Sequence, residues 1–489
     1  MNTQRNASYA ARRARLMERM RAAGGGVAIL PTAPEAMRNS DVEYPYRHDS
    51  YFYYLSGFME PEAVLVLVAP ADGSAGRTLL FCREKNAERE IWDGFRHGPQ
   101  GACLTFGLDA GVDIAQLDAQ MPTLLADAPA IFCAIGRDAG FDARLRGWLA
   151  AVRSQARAGV SAPATLHDVR TLLDDMRLFK DAGELAIMRR AAAISGEAHA
   201  RAMRCSQPGK TEYQIEAELL HAFRHAGSDF PAYTSIVATG ANACVLHYRA
   251  GAAVLQDGDL VLIDAGCEYE GYASDITRTY PANGRFSETQ RMVYEIVFEA
   301  QKAAIATARP GAAFTDVHDV AVRILAQGML DAGLLVADRV GSIDDVIANG
   351  DYRRFYMHRT SHWLGMDVHD TGDYREPREA GEPFHHAGQR APGAARELLQ
   401  IGTAPVTASA ASAAVRSSRQ LRPGMVLTVE PGIYIRPAED VPPQFWNIGI
   451  RIEDDVAITP TGCEVLSASA PKTIAEIEAT MRDRQQQAN

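Results

Sequence analysis

Apolar positions change their spacing along this chain. From Gly26 they come in short unbroken runs, GVAIL, AVLVLVA, TLLFC and AIFCAI, each the length of a strand. Stretches that could be helices separate the runs, which predicts a mixed α/β domain. The stretch TLLDDMRLFKDAGELAIMRRAAAISGEAHARAM then spaces its apolar residues helically. Leu185, Met188 and Ala192 fall on one face, and Ile187, Ala191 and Ile194 form a second stripe, so this helix should be buried on more than one side. TEYQIEAELLHAFRHAG predicts another helix, with Thr211 as N-cap and Gly227 as C-cap. Strands are expected in YTSIVATG, LVLIDAG, MVLTVEPGIYI and NIGIRIEDDVAIT, with helices over 287–309 and 315–333 between them. The expected architecture is an α/β domain over 1–172 and an α+β domain over 173–480, its helices packed on antiparallel strands. Residues 374–420, rich in Ala, Arg, Gly and Pro, interrupt the second domain as an insertion-like loop that is either functional or mobile. The His385-His386 pair inside it reads as exposed, not metal-binding.

The bulk numbers narrow the function classes. A chain of 489 residues with 47% apolar and 23% charged residues suits a soluble multidomain protein. A net charge of −11 argues against nucleic acid as a partner, and no apolar run is long enough to span a bilayer. The seven cysteines are scattered without a CxxC pair, so neither a zinc knuckle nor a disulfide framework is indicated and a reducing cytoplasm is the simplest setting. Residues 5–21 carry six arginines against Glu18 alone. That composition resembles a transit peptide, yet Leu16, Met17 and Met20 share one face and no Ser-rich segment follows, which favours an amphipathic helix.

The candidate chemistry starts in LVLIDAGCEYEGYASDITRTY, residues 260–280. It reads as a hairpin turning near Tyr269-Glu270-Gly271, with Asp264 directly opposite Asp275. Facing carboxylates repel; they are either solvated at a hairpin edge or gathered around a cation. Four further stations favour the cation: His247 in LHY; His358, His362 and His369 in MHRTSHWLGMDVHD; Glu430 in TVEPGIYI; Arg451 and Glu453 in GIRIED. Glu430 ends a strand that Pro431-Gly432 interrupts, and Arg451 and Glu453 share the strand face opposite Ile448, Ile450 and Ile452. His358 and His362 are four apart, but there is no HExxH. Four carboxylates and an imidazole suit two hard or borderline divalent ions such as Mn²⁺, which in paired sites clamp an attacking hydroxide.

LIDAGCEYEGYASDITRTY, SHWLGMDVHD, LTVEPGIYI and NIGIRIEDD resemble the metal-binding segments of the aminopeptidase P (Xaa-Pro aminopeptidase) family of pita-bread metallopeptidases. SDVEYPYRHDSYFYYLSGFMEPEAVLVL is similar to the non-catalytic N-terminal domain of the same group. The resemblance implies that Asp264 binds one metal, that Asp275 and Glu453 bridge two, and that His362 and Glu430 complete the second. It implies Glu430 as general base acting on a metal-bridging hydroxide, and His247 and His369 as holders of the substrate carbonyl and oxyanion in a dry site. His358 would line the proline pocket, Arg451 would lock the carboxylates, and Tyr434 would form site wall or core. Trp92 would reach a neighbouring subunit or pack as a core residue.

Arg359 departs from the family, which often has a small Gly there; it would narrow the pocket or touch the peptide backbone. The expected enzyme is a cytoplasmic homo-oligomer, dimer or tetramer, using two divalent ions, Mn²⁺ foremost, to release the first residue of peptides with proline second. Nucleic acid and membranes are not expected partners. The rivals are a prolidase restricted to Xaa-Pro dipeptides and a non-catalytic pita-bread binding module.

Overall fold

The computed structural model describes residues 3–377 and 416–483. The first block folds around a six-stranded mixed sheet. In spatial order its strands are Ala110–Asp113, Arg77–Cys82, Val64–Ala69, Gly26–Pro31, Ala130–Cys133 and Thr165–Asp168. The Arg77, Val64 and Gly26 strands pair antiparallel, and the outer strands join them in parallel. The inner strands are covered on both faces, which is why they read as unbroken apolar runs.

The arginine-rich segment is the helix Thr3–Ala22, and its apolar stripe is core: Leu16 and Met20 are fully buried. Its arginines fasten it to both blocks. Arg13, buried, donates to the carbonyls of Leu55, Phe106 and Gly107 at 2.9, 3.2 and 2.7 Å, closing a helix C-terminus whose carbonyls lack partners. Arg12 pairs with Asp181 at 2.8 Å, and Arg5 with Glu270 at 2.5 Å.

The second block lays helices on small antiparallel sheets. Ala182–Cys205 buries residues all around its circumference. In the helix Glu212–His225, Gln214 reaches back to the Thr211 N–H at 3.0 Å, and Gly227 follows the last turn at φ 93. Thr277–Pro281, Leu260–Asp264 and Ile236–Thr239 form one sheet; Val426–Val429, Asp454–Thr459 and Gly462–Val465 form another; Gly432–Ile435 pairs with Ile448–Arg451. Glu288–Thr307 and Phe314–Asp331 pack on these sheets over the main apolar core.

The hairpin register differs from the expectation. Tyr269 pairs with Tyr272, so the turn is Glu270-Gly271, and Asp264 faces Thr277, not Asp275. Both turn residues take positive φ, 50 for Glu270 and 79 for Gly271, the backbone a two-residue hairpin turn needs to match strand twist. Shifting the turn centre by one residue moves every partner by two. Gly266 adds a second constraint, since any Cβ there would lie 1.8 Å from the Ser274 carbonyl oxygen.

The ends of the 374–420 segment are held by bridges from Arg375 to Ser418 and from Ala313 to Gln420. His385 and His386 lie outside the described residues. Among the described residues no helix is long and apolar enough to cross a membrane.

Candidate metal centre

Backbone pairing gathers four of the five stations, and His247 joins them as a residue of the cavity wall. The loop carrying His362 runs beside the strand Val426–Val429: Thr428 N–H donates to the His362 carbonyl at 3.0 Å, and Glu430 N–H to the Thr360 carbonyl at 2.8 Å. His362 and Glu430 are thereby fixed side by side, their nearest atoms 3.9 Å apart. Glu453 N–H donates to the Thr277 carbonyl at 3.0 Å, which brings the second sheet to the hairpin. Donor atoms of Asp275, His362 and Glu453 all lie within 4.8 Å of one another.

Asp264 and Asp275 meet despite the shifted register, because the Tyr233 hydroxyl lies 2.5 Å from an oxygen of each. That hydroxyl has one hydrogen for two carboxylates. Arg451 donates to Asp264 at 2.5 Å, to the Thr277 hydroxyl at 3.1 Å and to the Tyr434 hydroxyl at 2.9 Å. The Thr277 hydroxyl in turn donates to Glu453 at 2.6 Å.

Four carboxylates therefore surround one guanidinium. Burial and the neighbouring carboxylates push the Glu453 carboxyl well above its ordinary range and raise Asp264. Burial likewise raises Glu430 to about 7. His362 is raised to about 9, because the Asp275 carboxylate at 3.4 Å outweighs its burial. His358 is driven down to about 3 by burial and by Arg451. Its Nδ1 faces the Arg359 carbonyl at 2.8 Å and its Nε2 the Tyr434 hydroxyl at 2.8 Å, so it is neutral and Nε2 accepts.

The donor set fits divalent ions. It is mostly carboxylate oxygen with one imidazole. His362 Nδ1 faces the Trp363 carbonyl at 3.0 Å, so Nε2 is the nitrogen turned toward the acids, and losing its proton frees it to ligate an ion.

A cavity of about 1460 Å³ opens over these groups, and His247, Asp264, Asp275, His358, His362, His369, Glu430, Arg451 and Glu453 line it. One expectation needs correction, and one pair of alternatives is decided. Tyr434, expected as site wall or core, is core: it is buried behind the wall, where its hydroxyl joins His358 to Arg451. His247 and His369 are exposed on the rim, not in a dry interior, because the cavity is open there. His369 packs edge-on against His362 with ring centroids 4.3 Å apart. Trp92 is 83% exposed and belongs to no core.

Sequence reading missed Tyr233, Thr277 and Asp455. Asp455, buried, accepts from the Asp275 N–H at 3.1 Å. Strand alternation offered a signal for Thr277, two residues after Asp275; nothing local marks Tyr233.

A buried cluster of carboxylates around a divalent-metal donor set, at the floor of an open cavity, defines a metal-dependent hydrolase. The chain belongs to metallopeptidase family M24, whose model matches residues 186–460, and residues 9–132 match the aminopeptidase P N-terminal domain. It is 42% identical to the Xaa-Pro aminopeptidase of Escherichia coli over 96% of each chain. It is 30% identical to human Xaa-Pro aminopeptidase 3, over 96% of this chain and 85% of that one. The structure of Pseudomonas aeruginosa aminopeptidase PepP superposes with a TM-score of 0.87 at 45% identity, covering 98% of this chain and 99% of the other. Zinc-substituted E. coli aminopeptidase P in complex with product gives 0.86 at 41%, covering 98% of both. The enzyme is a metallopeptidase that works with divalent ions.

Proposed function

We propose that this enzyme releases the N-terminal residue from peptides with proline in second position. The observation that carries the reading is the convergence of Asp275, His362 and Glu453 at the cavity floor, in a chain similar over nearly its whole length to Xaa-Pro aminopeptidases. Asp264, Asp275, His362, Glu430 and Glu453 would hold two divalent ions, for which Mn²⁺ suits the oxygen-rich set. Bound there, the ions supply Lewis acidity and lower the pKa of water.

The residues divide the remaining work. A Glu430 carboxylate oxygen takes the proton of the attacking water and hands it to the proline nitrogen as the bond breaks. The tertiary amide has no N–H to recognise, so the neutral His358 ring, held by Tyr434, serves as a flat wall for the proline. His247 and His369 on the rim donate to the carbonyl oxygen as it gains charge. Arg451 orients Asp264 and, through Thr277, Glu453.

The N-terminal domain spans residues 1–172 and the catalytic domain 173–480 in this reading. The exposed Ile91, Trp92, Phe95 and Leu104 support a homo-oligomer, and the unpaired cysteines a cytoplasmic setting. The test is hydrolysis of an Xaa-Pro dipeptide and an Xaa-Pro-Yaa tripeptide by metal-stripped protein, with and without Mn²⁺. Release of the first residue from the tripeptide only when Mn²⁺ is added is the expected result; cleavage of the dipeptide alone would move the assignment to a prolidase.

A further inference from the structure

We propose that Arg359 makes the leaving-group side of the cavity selective for peptides that carry a carboxylate just after the proline. The inference rests on the peptidase reading above, with His358 against the proline.

The backbone of Arg359 is pinned beside the general base. Its carbonyl faces His358 Nδ1 at 2.8 Å, and the next residue, Thr360, is fully buried and accepts the Glu430 N–H at 2.8 Å. The Thr360 hydroxyl is tied to Tyr356 at 2.6 Å and to His318 at 2.8 Å. Arg359 lines the cavity wall, where its charge also acts on Asp319.

The guanidinium is exposed and makes no ion pair or hydrogen bond among the described residues. Arg249 and Arg375, on other walls of the same cavity, are likewise exposed and without an ion pair among the described residues. Arginines nearby behave differently. Arg416, also in the cavity wall, pairs with Asp373 at 2.6 Å, while outside it Arg354 pairs with Asp440 at 2.5 Å and Arg323 with Asp344 at 2.8 Å. Arg249, Arg359 and Arg375 thus place three guanidiniums without an ion pair among the described residues on the wall that substrate must pass.

The cavity therefore has a carboxylate floor and a guanidinium wall. A peptide lying across it puts its ammonium end toward the floor and its downstream residues against the wall. A guanidinium recognises a carboxylate by paired N–H donors. That carboxylate comes either from an acidic side chain after the proline or from the free C-terminus of a tripeptide.

The experiment uses the full-length, metal-loaded enzyme and three peptides: Ala-Pro-Asp-amide, Ala-Pro-Asn-amide and Ala-Pro-Asn with a free carboxylate. The first and third are expected to exceed the second by about three- to tenfold in kcat/KM, the difference lying in KM and shrinking with salt. Arg359→Gln should bring the ratios close to one, and Arg359→Glu should reverse them. Preference for the first peptide alone assigns the site to side chains, and for the third alone to the chain end. Equal turnover of all three by the wild type, or ratios unmoved in Arg359→Glu, overturns the inference. So does a fall in kcat that is the same for all three peptides, the mark of a merely structural residue. No turnover of any peptide would bring down the peptidase reading itself, and this inference with it.

Discussion

Glu453 and Asp454 are neighbours in sequence and both are buried, yet their carboxylates live in opposite surroundings. Asp454 accepts from Arg278 at 2.8 Å, Gln301 at 2.7 Å, Ser467 at 2.7 Å and Lys472 at 2.5 Å. Burial opposes its charge, but Arg278 and Lys472 outweigh burial and hold its carboxyl far below the ordinary range. Glu453 has the Thr277 hydroxyl and faces Asp275, Glu430 and Asp264, so its carboxyl is pushed well above that range. Strand alternation sends the two side chains to opposite sides. Charge fully answered by the protein holds the fold together; charge left unanswered marks where something else must bind.

The largest expected effect breaks the unanswered side. Asp275→Asn should cut turnover by about three orders of magnitude or more, the several kcal/mol that positioned metal ions contribute to a transition state. Metal content, read by plasma mass spectrometry, should fall with it. Without metal the variant should melt close to the metal-free wild type, because relief from the neighbouring carboxylates offsets the loss of the His362 partner. Full activity with normal metal content would sink the assignment.

On the answered side, Asp454→Asn leaves the buried Arg278 with its backbone carbonyl acceptors but without a countercharge. Losing one partner of a buried pair should cost about 3–5 kcal/mol, measured by urea denaturation. A loss below the noise of that measurement would mean that the backbone carbonyls around Arg278 are enough to hold its charge. The two substitutions together separate an activity defect without a stability defect from its converse.

Titration sharpens the contrast further. Glu430 stands at about 7 against an ordinary 4.5, and His362 at about 9 against 6.5. Both shifts are upward, so in the metal-free protein stability falls as pH rises through these values. Ligands must lose their protons to bind metal, so metal uptake at pH 7 should release protons, and affinity should rise from pH 6 to pH 8. Calorimetry in two buffers of different ionisation enthalpy counts those protons. Identical heats in both would contradict the proton-loaded cluster.

Much of this site was legible because its ligands sit at strand ends that apolar alternation reveals: Asp264 closes LVLID, Glu430 closes VLTVE, and Arg451 and Glu453 alternate with isoleucines. The register of the hairpin was not, because Glu270 takes a left-handed conformation that a glutamate seldom adopts. Tyr233 was invisible for another reason. Its partners Asp264 and Asp275 are 31 and 42 residues away, and no local pattern tells a phenol that joins two acids from one that fills a core. The arginines of the first helix resembled a targeting signal by composition; only the distant groups they reach, among them Glu270 for Arg5, Tyr54 for Arg12, Leu55 and Gly107 for Arg13 and Leu172 for Arg19, give them a structural role.

The smallest effect concerns two histidines that repeat the comparison. His362 is held charged by Asp275, whereas His199, fully buried under the hairpin with Nε2 facing the Ala265 carbonyl at 2.9 Å, is lowered to about 4 by burial. Its folded pKa lies below the unfolded 6.5, so the unfolded chain takes up the proton first and stability is lost as pH falls from 6.5 through 4. Between pH 7 and pH 5 this group should contribute a loss of about 2 kcal/mol, from a shift worth about 1.4 kcal/mol per pH unit. His199→Gln, which keeps a side-chain N–H for the Ala265 carbonyl, should flatten the pH dependence of urea unfolding by that amount. Equal slopes in the two proteins would place the acid sensitivity in another buried base, such as His48, which burial lowers to about 3.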